Sequence, residues 1–476
     1  MSTPRARLIM SETGRPRRTN GNGQVRETSL LDRRSFLAGA AALSALRTFP
    51  AVGQTSATDV PILFVHGNGD QAPIWLSTLW RFESNGYPGD RLHAINFTDP
   101  LARDDDGAAQ PNRSSTEDQL RELTEAIDRI RQTTGAPRVA LVGLSRGGYA
   151  IRNYVSLPER AAHVSHVVLC GTPNHGVFAW DAGRGNEFNG RGPFLSRLNA
   201  GESEVVAGPA FLTLRSDGFD KYAQPDGVFL GRPGVPTGIT AEGPALKGAT
   251  NLVLGQVDHR ETATGPRAFR EMYKFVIGRE PDRLSIVPEK EVGLNGIVTG
   301  FPAGVPTNRP VAKAVVEVFR LSADTGQRSG DPIHHKETGA DGIWGAVTIN
   351  SDAYLEFVIT APDHPVTHIY TAPFPRSSEI VHLRPGKPIG KADEGAEAVV
   401  LMSRPRGYFG IPRDVVILDG REPNDIKAGV PTDSVTTLRL INFADRPIVG
   451  EFNLERIVAR PWPARDNHVS IIELMS

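Results

Sequence analysis

The chain has 476 residues, 39% hydrophobic and 22% charged, which is long enough for two or three globular domains with sizeable cores. The formal net charge is −1, but nine arginines against Glu12, Glu27 and Asp32 make residues 1–57 strongly basic and leave a mildly acidic remainder, which argues against nucleic acid as a partner. Cys170 is the sole cysteine and excludes an intrachain disulfide; its setting in Val167-Val168-Leu169-Cys170 reads as buried strand.

The first element reads as an address. Asp32-Arg33-Arg34-Ser35-Phe36-Leu37 is a twin-arginine pattern, followed by a weakly apolar run to Leu46 that is too short to span a membrane. Ala51-Val52-Gly53 or Thr55-Ser56-Ala57 offers a cleavage site. The pattern resembles bacterial twin-arginine export signals, which implies export of the folded chain by the Tat translocation machinery to the periplasm or beyond. Residues 1–57 therefore stand outside the expected folded body.

From about 58 to 280, strand and helix signals alternate, predicting an α/β domain with a mostly parallel sheet and helices on both faces. Pro61 to Val65 is the first buried strand and Arg91 to Phe97 the next. A helix is predicted to start at Ser114, with Glu117 completing a capping box. Leu120, Leu123, Ile127 and Ile130 form its apolar face, Gly135 ends it, and Pro137 prevents its continuation. Strands follow at 138–142, 164–170, 210–215 and 251–255, then a helix at 265–277. Residues 174–209 break the rhythm. Rich in glycine and asparagine yet carrying Phe178, Trp180, Phe188, Phe194 and Leu195, they read as a partial lid or pocket wall, or else as a surface excursion with its own small core. After Glu280-Pro281 the pattern changes to short strands separated by turn signals. It predicts a β-sandwich over 287–390, a linker near Lys391–Glu397, and a further β subdomain over 396–476. The aromatics there (Phe319, Trp344, Tyr354, Phe374, Tyr408, Phe409) read as core.

The chemistry centres on Gly143-Leu144-Ser145-Arg146-Gly147. Preceded by a buried strand and followed by a helical stretch, this G-x-S-x-G reads as a nucleophile elbow that lifts Ser145 Oγ above the sheet. A serine nucleophile needs a base, and the base an orienting acid, in the chain order Ser, Asp or Glu, His. His259 follows the last predicted strand and is the candidate base; apart from His175, no other histidine after Ser145 in the α/β part sits at a strand's C-terminal end. Asp220, in the loop after the preceding strand and ahead of Tyr222-Ala223-Gln224-Pro225, is the candidate acid, with Asp217 and Asp226 as alternatives. The turn His66-Gly67-Asn68-Gly69 can aim backbone N–H groups inward, so the oxyanion donors are expected to be Arg146 N–H and that of Asn68 or Gly69. His66 itself is expected to brace the loop. No cofactor or metal is called for: His364 and His368 lie on a predicted strand, His334-His335 lacks partners, and Asp104-Asp105-Asp106 reads as a solvated loop.

Together, the His66-Gly67 turn, the elbow, Gly171-Thr172-Pro173-Asn174-His175-Gly176 and Asp220 ahead of Gln224-Pro225 resemble bacterial lipases and esterases of the α/β-hydrolase fold over residues 60–280. The whole-chain plan resembles archaeal lipases with a β-rich, lipid-binding C-terminal region. Residues 290–386 look similar to transthyretin-like or carboxypeptidase-regulatory-like sandwiches, through Ala314 to Val318, Thr325-Gly326 and Asp341-Gly342. In some relatives the acid sits at the end of the strand that here carries Val168-Leu169-Cys170; a thiol cannot serve, which points to the later loop. The resemblance implies a secreted serine hydrolase acting on carboxylic esters through an acyl-enzyme, with a lipid or ester substrate and a possible lipid or polymer surface for the C-terminal β regions. A polyester depolymerase and a non-catalytic surface-binding protein on a hydrolase scaffold are the rival expectations.

Overall fold

The computed structural model describes residues 60–476, so the export signal read in residues 1–57 lies outside the described residues. Strands β1 (Ile62–Val65), β2 (Leu92–Ala94), β3 (Val139–Leu144), β4 (Val164–Cys170), β5 (Ala210–Ser216) and β6 (Thr250–Leu254) form a sheet in the order β2-β1-β3-β4-β5-β6. Every pairing in it is parallel. Parallel strands buried on both faces read as continuous apolar runs, which is why β1 and β3 were legible as buried strands. Successive side chains alternate between two cores. Phe64, Val142, Cys170 and Leu214 face Trp75, Phe82, Phe269 and Tyr273, while Leu63, Val65, Leu141 and Leu169 face Leu123, Ile127, Ile151 and Tyr154.

The helices of this part are α1 (Leu76–Ser84), α2 (Thr116–Thr134), α3 (Arg146–Val155), α4 (Pro158–Ala161), α5 (Pro193–Leu198), α6 (Glu261–Thr264) and α7 (Pro266–Ile277), and all but α5 contribute buried side chains to one of these two cores. The cap of α2 falls one residue later than the sequence suggested. Ser115 is the N-cap, with its hydroxyl on Asp118 N–H and the Asp118 carboxylate on Ser115 N–H. Ser114 is diverted because its side chain and carbonyl are taken by other partners, described below. The helix ends at left-handed Gly135, as expected. The second strand is shorter than predicted. Beyond Ala94 the chain turns inward, with Asn96 Oδ1 accepting Ala72 N–H and Phe97 N–H donating to His66 Nε2.

The β-rich half begins with β7 (Glu291–Leu294), β8 (Val315–Leu321), β9 (His334–Glu337), β10 (Val347–Asn350), β11 (Tyr354–Thr360) and β12 (Val366–Thr371). It continues with β13 (Ala398–Ser403), β14 (Val416–Leu418), β15 (Val435–Leu440), β16 (Ile448–Phe452), β17 (Glu455–Ala459) and β18 (His468–Glu473). Seven of them make one sheet, β15-β13-β18-β12-β11-β8-β9. The last strand, β18, lies between β12 and β13 and runs parallel to both. The expected segments 287–390 and 396–476 therefore share a sheet, and the stretch expected as a linker, 391–397, crosses between its strands. Local turn signals carry no information about such long-range pairing.

One face of this sheet packs against the β7–β10 pair through Trp344, Phe357 and Phe374, and the same core takes in Leu76 and Trp80 from α1. The other face packs against β14, β16 and β17 through Met402, Phe409, Phe452 and Ile472. Trp80 Nε1 donates to Ser377 O at 3.1 Å. The α/β part and the β-rich half are thus joined by a shared apolar core, and the described residues fall in one compact unit.

Candidate active site

Ser145 stands between β3 and α3 with φ 54° and ψ −120°. A non-glycine residue holds such a conformation only when its surroundings fix it. The flanking glycines make the turn possible. A Cβ on Gly147 would lie 2.4 Å from Val65 O and 2.7 Å from His66 O, both main-chain atoms, and one on Gly143 would lie 2.8 Å from Gly148 N. Gly148 is a packing requirement as well: a Cβ there would meet Thr172 Oγ1 at 2.0 Å.

Two predicted residues, Ser145 and His259, line one cavity, and the third, Asp220, holds His259 from behind it. His259 follows β6 and is 3% exposed; its Nδ1 lies 3.0 and 2.9 Å from the two Asp220 carboxylate oxygens. Asp220 Oδ1 also accepts Tyr222 N–H at 2.8 Å, and Tyr222 packs edge-on against the imidazole with centroids 4.6 Å apart. The carboxylate fixes Nδ1–H, which leaves Nε2 as the acceptor. Nε2 is buried without a hydrogen-bond partner. Ser145 and His259 line the same cavity, of about 190 Å³, together with Asn68, Val177, Phe178, Phe188, Tyr222 and Tyr408. The alternative acids are occupied elsewhere. Asp217 accepts the N–H groups of Phe219 and Gln256, and Asp226 that of Val228. His175 is bound to Glu204 at 3.1 Å.

Of the two candidate donors in the 66–69 turn, Gly69 is corrected by the structure. Its N–H donates to Pro100 O at 3.1 Å, because its left-handed backbone (φ +76°) turns the amide away, and this leaves the N–H of Asn68. The Asn68 side chain holds the turn by accepting Ala102 N–H at 2.8 Å. Arg146 N–H opens α3, where an amide has no partner one turn back in its own helix. His66 is fully buried between Gly67 O on Nδ1 and Phe97 N–H on Nε2, and burial lowers its pKa to about 4. It is a neutral brace.

The Arg146 side chain, unremarked in the sequence beyond its backbone, is fully buried and uses all five donors. It forms a two-pronged pair with Glu187 (2.5 and 2.8 Å) and bonds to Pro100 O, Ser114 Oγ and Ser114 O. One guanidinium thus ties Pro100, whose carbonyl also holds Gly69 N–H, the start of α2 and the 174–209 segment to the elbow. That segment combines both readings of it: Phe188, Phe194, Leu195 and Leu198 make a small core with Tyr149, and Val177, Phe178 and Phe188 wall the serine cavity. A larger cavity of about 520 Å³ lies beyond Asp70 and contains neither Ser145 nor His259.

Cys170 is buried, and burial pushes its thiol pKa well up. Asp106 caps the α2 start through Thr116 N–H and Oγ1, both at 2.7 Å. His364 braces Phe301 N–H, while His368 pairs with Glu356. Among the described residues, no group of three or more His, Cys, Asp or Glu side chains could hold a metal, and no helix is long and apolar enough to cross a membrane.

The parallel sheet, the elbow after β3 and the β-rich second half give the chain the arrangement of the α/β-hydrolase fold, followed by a C-terminal β region. Two segments match family models: residues 61–206 that of palmitoyl protein thioesterase, and residues 290–388 that of the lipase C-terminal domain. Among solved structures the chain is similar to lipase B of Aspergillus fumigatus (15% identity, TM-score 0.36, covering 49% of this chain and 56% of that one). It is also similar to the mature lipase BlEst2 of Bacillus licheniformis (22%, 0.35, 47% and 95%) and to the Paleococcus ferrophilus monoacylglycerol lipase (12%, 0.31, 46% and 96%). The chain thus spans little more than half, 56%, of the Aspergillus lipase. No curated protein matches it.

Proposed function

We propose that the protein is an exported serine hydrolase that cleaves carboxylic esters of short acyl chains. The observation that carries this reading is the buried, unpartnered His259 Nε2, with Nδ1 fixed by Asp220, in the cavity that Ser145 lines. Ser145 Oγ attacks the ester carbonyl while His259 Nε2 takes its proton. The oxyanion is received by the N–H groups of Asn68 and Arg146. The tetrahedral adduct collapses as the imidazolium gives its proton to the leaving alcohol. Water, deprotonated by the same nitrogen, then releases the acid and restores the serine. Asp220 keeps the proton on Nδ1 and stabilises the imidazolium.

A cavity of about 190 Å³ falls below the ~300–1,000 Å³ of pockets that enclose drug-sized ligands, which favours small acyl groups. The twin-arginine pattern at Arg33-Arg34 supports export, hence a substrate outside the cytoplasm. The thioesterase likeness of residues 61–206 supports a second reading, thioester cleavage by the same acyl-enzyme route. Turnover of p-nitrophenyl acetate, butyrate and octanoate and of the matching thioesters tests both. Activity that declines from butyrate to octanoate and disappears in Ser145→Ala is expected. Equal activity in Ser145→Ala overturns the assignment.

A further inference from the structure

We infer that the β-rich half completes the catalytic site: its segment 404–413 positions the His259 loop and supplies a wall of the acyl cavity. This rests on the serine hydrolase reading above.

Asp258 immediately precedes His259 and is fully buried. Its Oδ1 accepts the N–H groups of Arg260 and Glu261, which shapes the loop that carries the imidazole. Its Oδ2 accepts Arg404 Nη1 at 2.9 Å and Tyr408 N–H at 2.8 Å. Glu261, whose carboxylate holds Asp258 N–H, is gripped by Arg404 Nη2 at 2.6 Å and Arg413 Nη1 at 2.7 Å. A buried carboxylate next to the base is tolerable only with such partners, and every one of these cations comes from the far end of the chain. The loop is pinned again where Thr264 Oγ1 donates to Arg406 O.

The other loops of the site are tied to the same half. Lys221, next to Asp220, donates to Thr432 O at 2.8 Å and lies 3.9 Å from the Tyr408 ring centroid. Asn308 Nδ2 donates to Asp70 O, just beyond the oxyanion turn, and to Phe97 O. The elbow itself needs no such help. Tyr408 lines the serine cavity together with Val177 and Phe178, and its ring centroid lies 4.9 Å from the Arg260 guanidinium carbon. Arg404 is therefore a positioning residue for His259, and Tyr408 a residue that limits acyl length.

The test uses the full-length chain with Arg404→Lys and Tyr408→Ala, assayed on p-nitrophenyl acetate and octanoate, with melting followed by near-UV circular dichroism. Arg404→Lys keeps the charge but loses the fork that bridges Asp258 and Glu261. A loss of kcat of roughly 10-fold or more on both esters with little change in KM is expected, since small misplacement of a catalytic group costs up to ~100-fold. Tyr408→Ala is expected to raise the octanoate-to-acetate ratio of kcat/KM by roughly 10-fold, the discrimination that one or two methylenes command. Should Arg404→Lys fail to fold, the Tyr408→Ala ratio decides. Wild-type kcat in folded Arg404→Lys, or an unchanged ratio in Tyr408→Ala, overturns the inference and leaves the functional reading standing. Absence of ester turnover in the wild type overturns both.

Discussion

At Ser145 the backbone is held at φ 54° because its neighbours carry no side chains where the elbow meets β1. Gly147→Ala places a methyl against the main chain of a central strand, which cannot yield, so a loss of roughly 3 kcal/mol or more in urea-induced unfolding is expected. Asp220→Asn keeps the shape but donates to Nδ1 instead of accepting, which forces the proton onto Nε2. A fall in kcat of up to ~10⁴-fold with little change in melting temperature is expected from steady-state kinetics. His66 adds a pH term. Its folded pKa of about 4 lies below the ordinary value of 6.5, so unfolding takes up a proton between these values. The stability that its neutral form contributes is complete above pH 6.5 and is lost as pH falls towards 4, with a slope approaching about 1.4 kcal/mol per pH unit. His66→Asn should reduce the acid slope of chemical denaturation midpoints by about one proton. An unchanged slope would show that His66 does not titrate on unfolding.

Elements differ in how openly the sequence declares them. The apolar runs of β1, β3 and β4 and the spaced apolar residues of α2 follow from local periodicity, and the elbow from two glycines around a serine. Ser145, His259 and Asp220 were legible because each stands at the end of a strand. Gly69 was misassigned because an amide's direction depends on a hydrogen bond to Pro100, distant in sequence. The role of the Arg146 side chain was hidden for the same kind of reason: its partner, Glu187, sits in a segment with no regular pattern. Removing that partner leaves a charge buried and unpaired. Glu187→Ala should therefore cost about 3–5 kcal/mol in denaturant unfolding and raise proteolysis within 174–209. A variant as stable as wild type would mean that the segment is held by its own small core alone.

For the whole molecule, the division into a catalytic domain and two trailing β subdomains gives way to two parts that share a core and a site. Two residues of β18 illustrate why sequence could not show this: Ile471 and Ile472 pair with both β12 and β13, and no local signal names those neighbours. Tyr408 looked like one more core aromatic, and only the fold brings it to the cavity that Ser145 lines. A chain stopped at Arg279 exposes Leu76 and Trp80 and strips Asp258 of Arg404. It should lose cooperative unfolding and ester turnover together; full activity in such a chain would contradict a shared site.

The central claim, that His259 activates Ser145, is met most directly by fluorophosphonate labelling of the full-length chain, with the adduct located by peptide mass spectrometry. The account predicts one adduct, on Ser145, that forms rapidly in the wild type and at least ~10³-fold more slowly in His259→Ala. An adduct on another residue, or equal labelling rates in the two proteins, would contradict it.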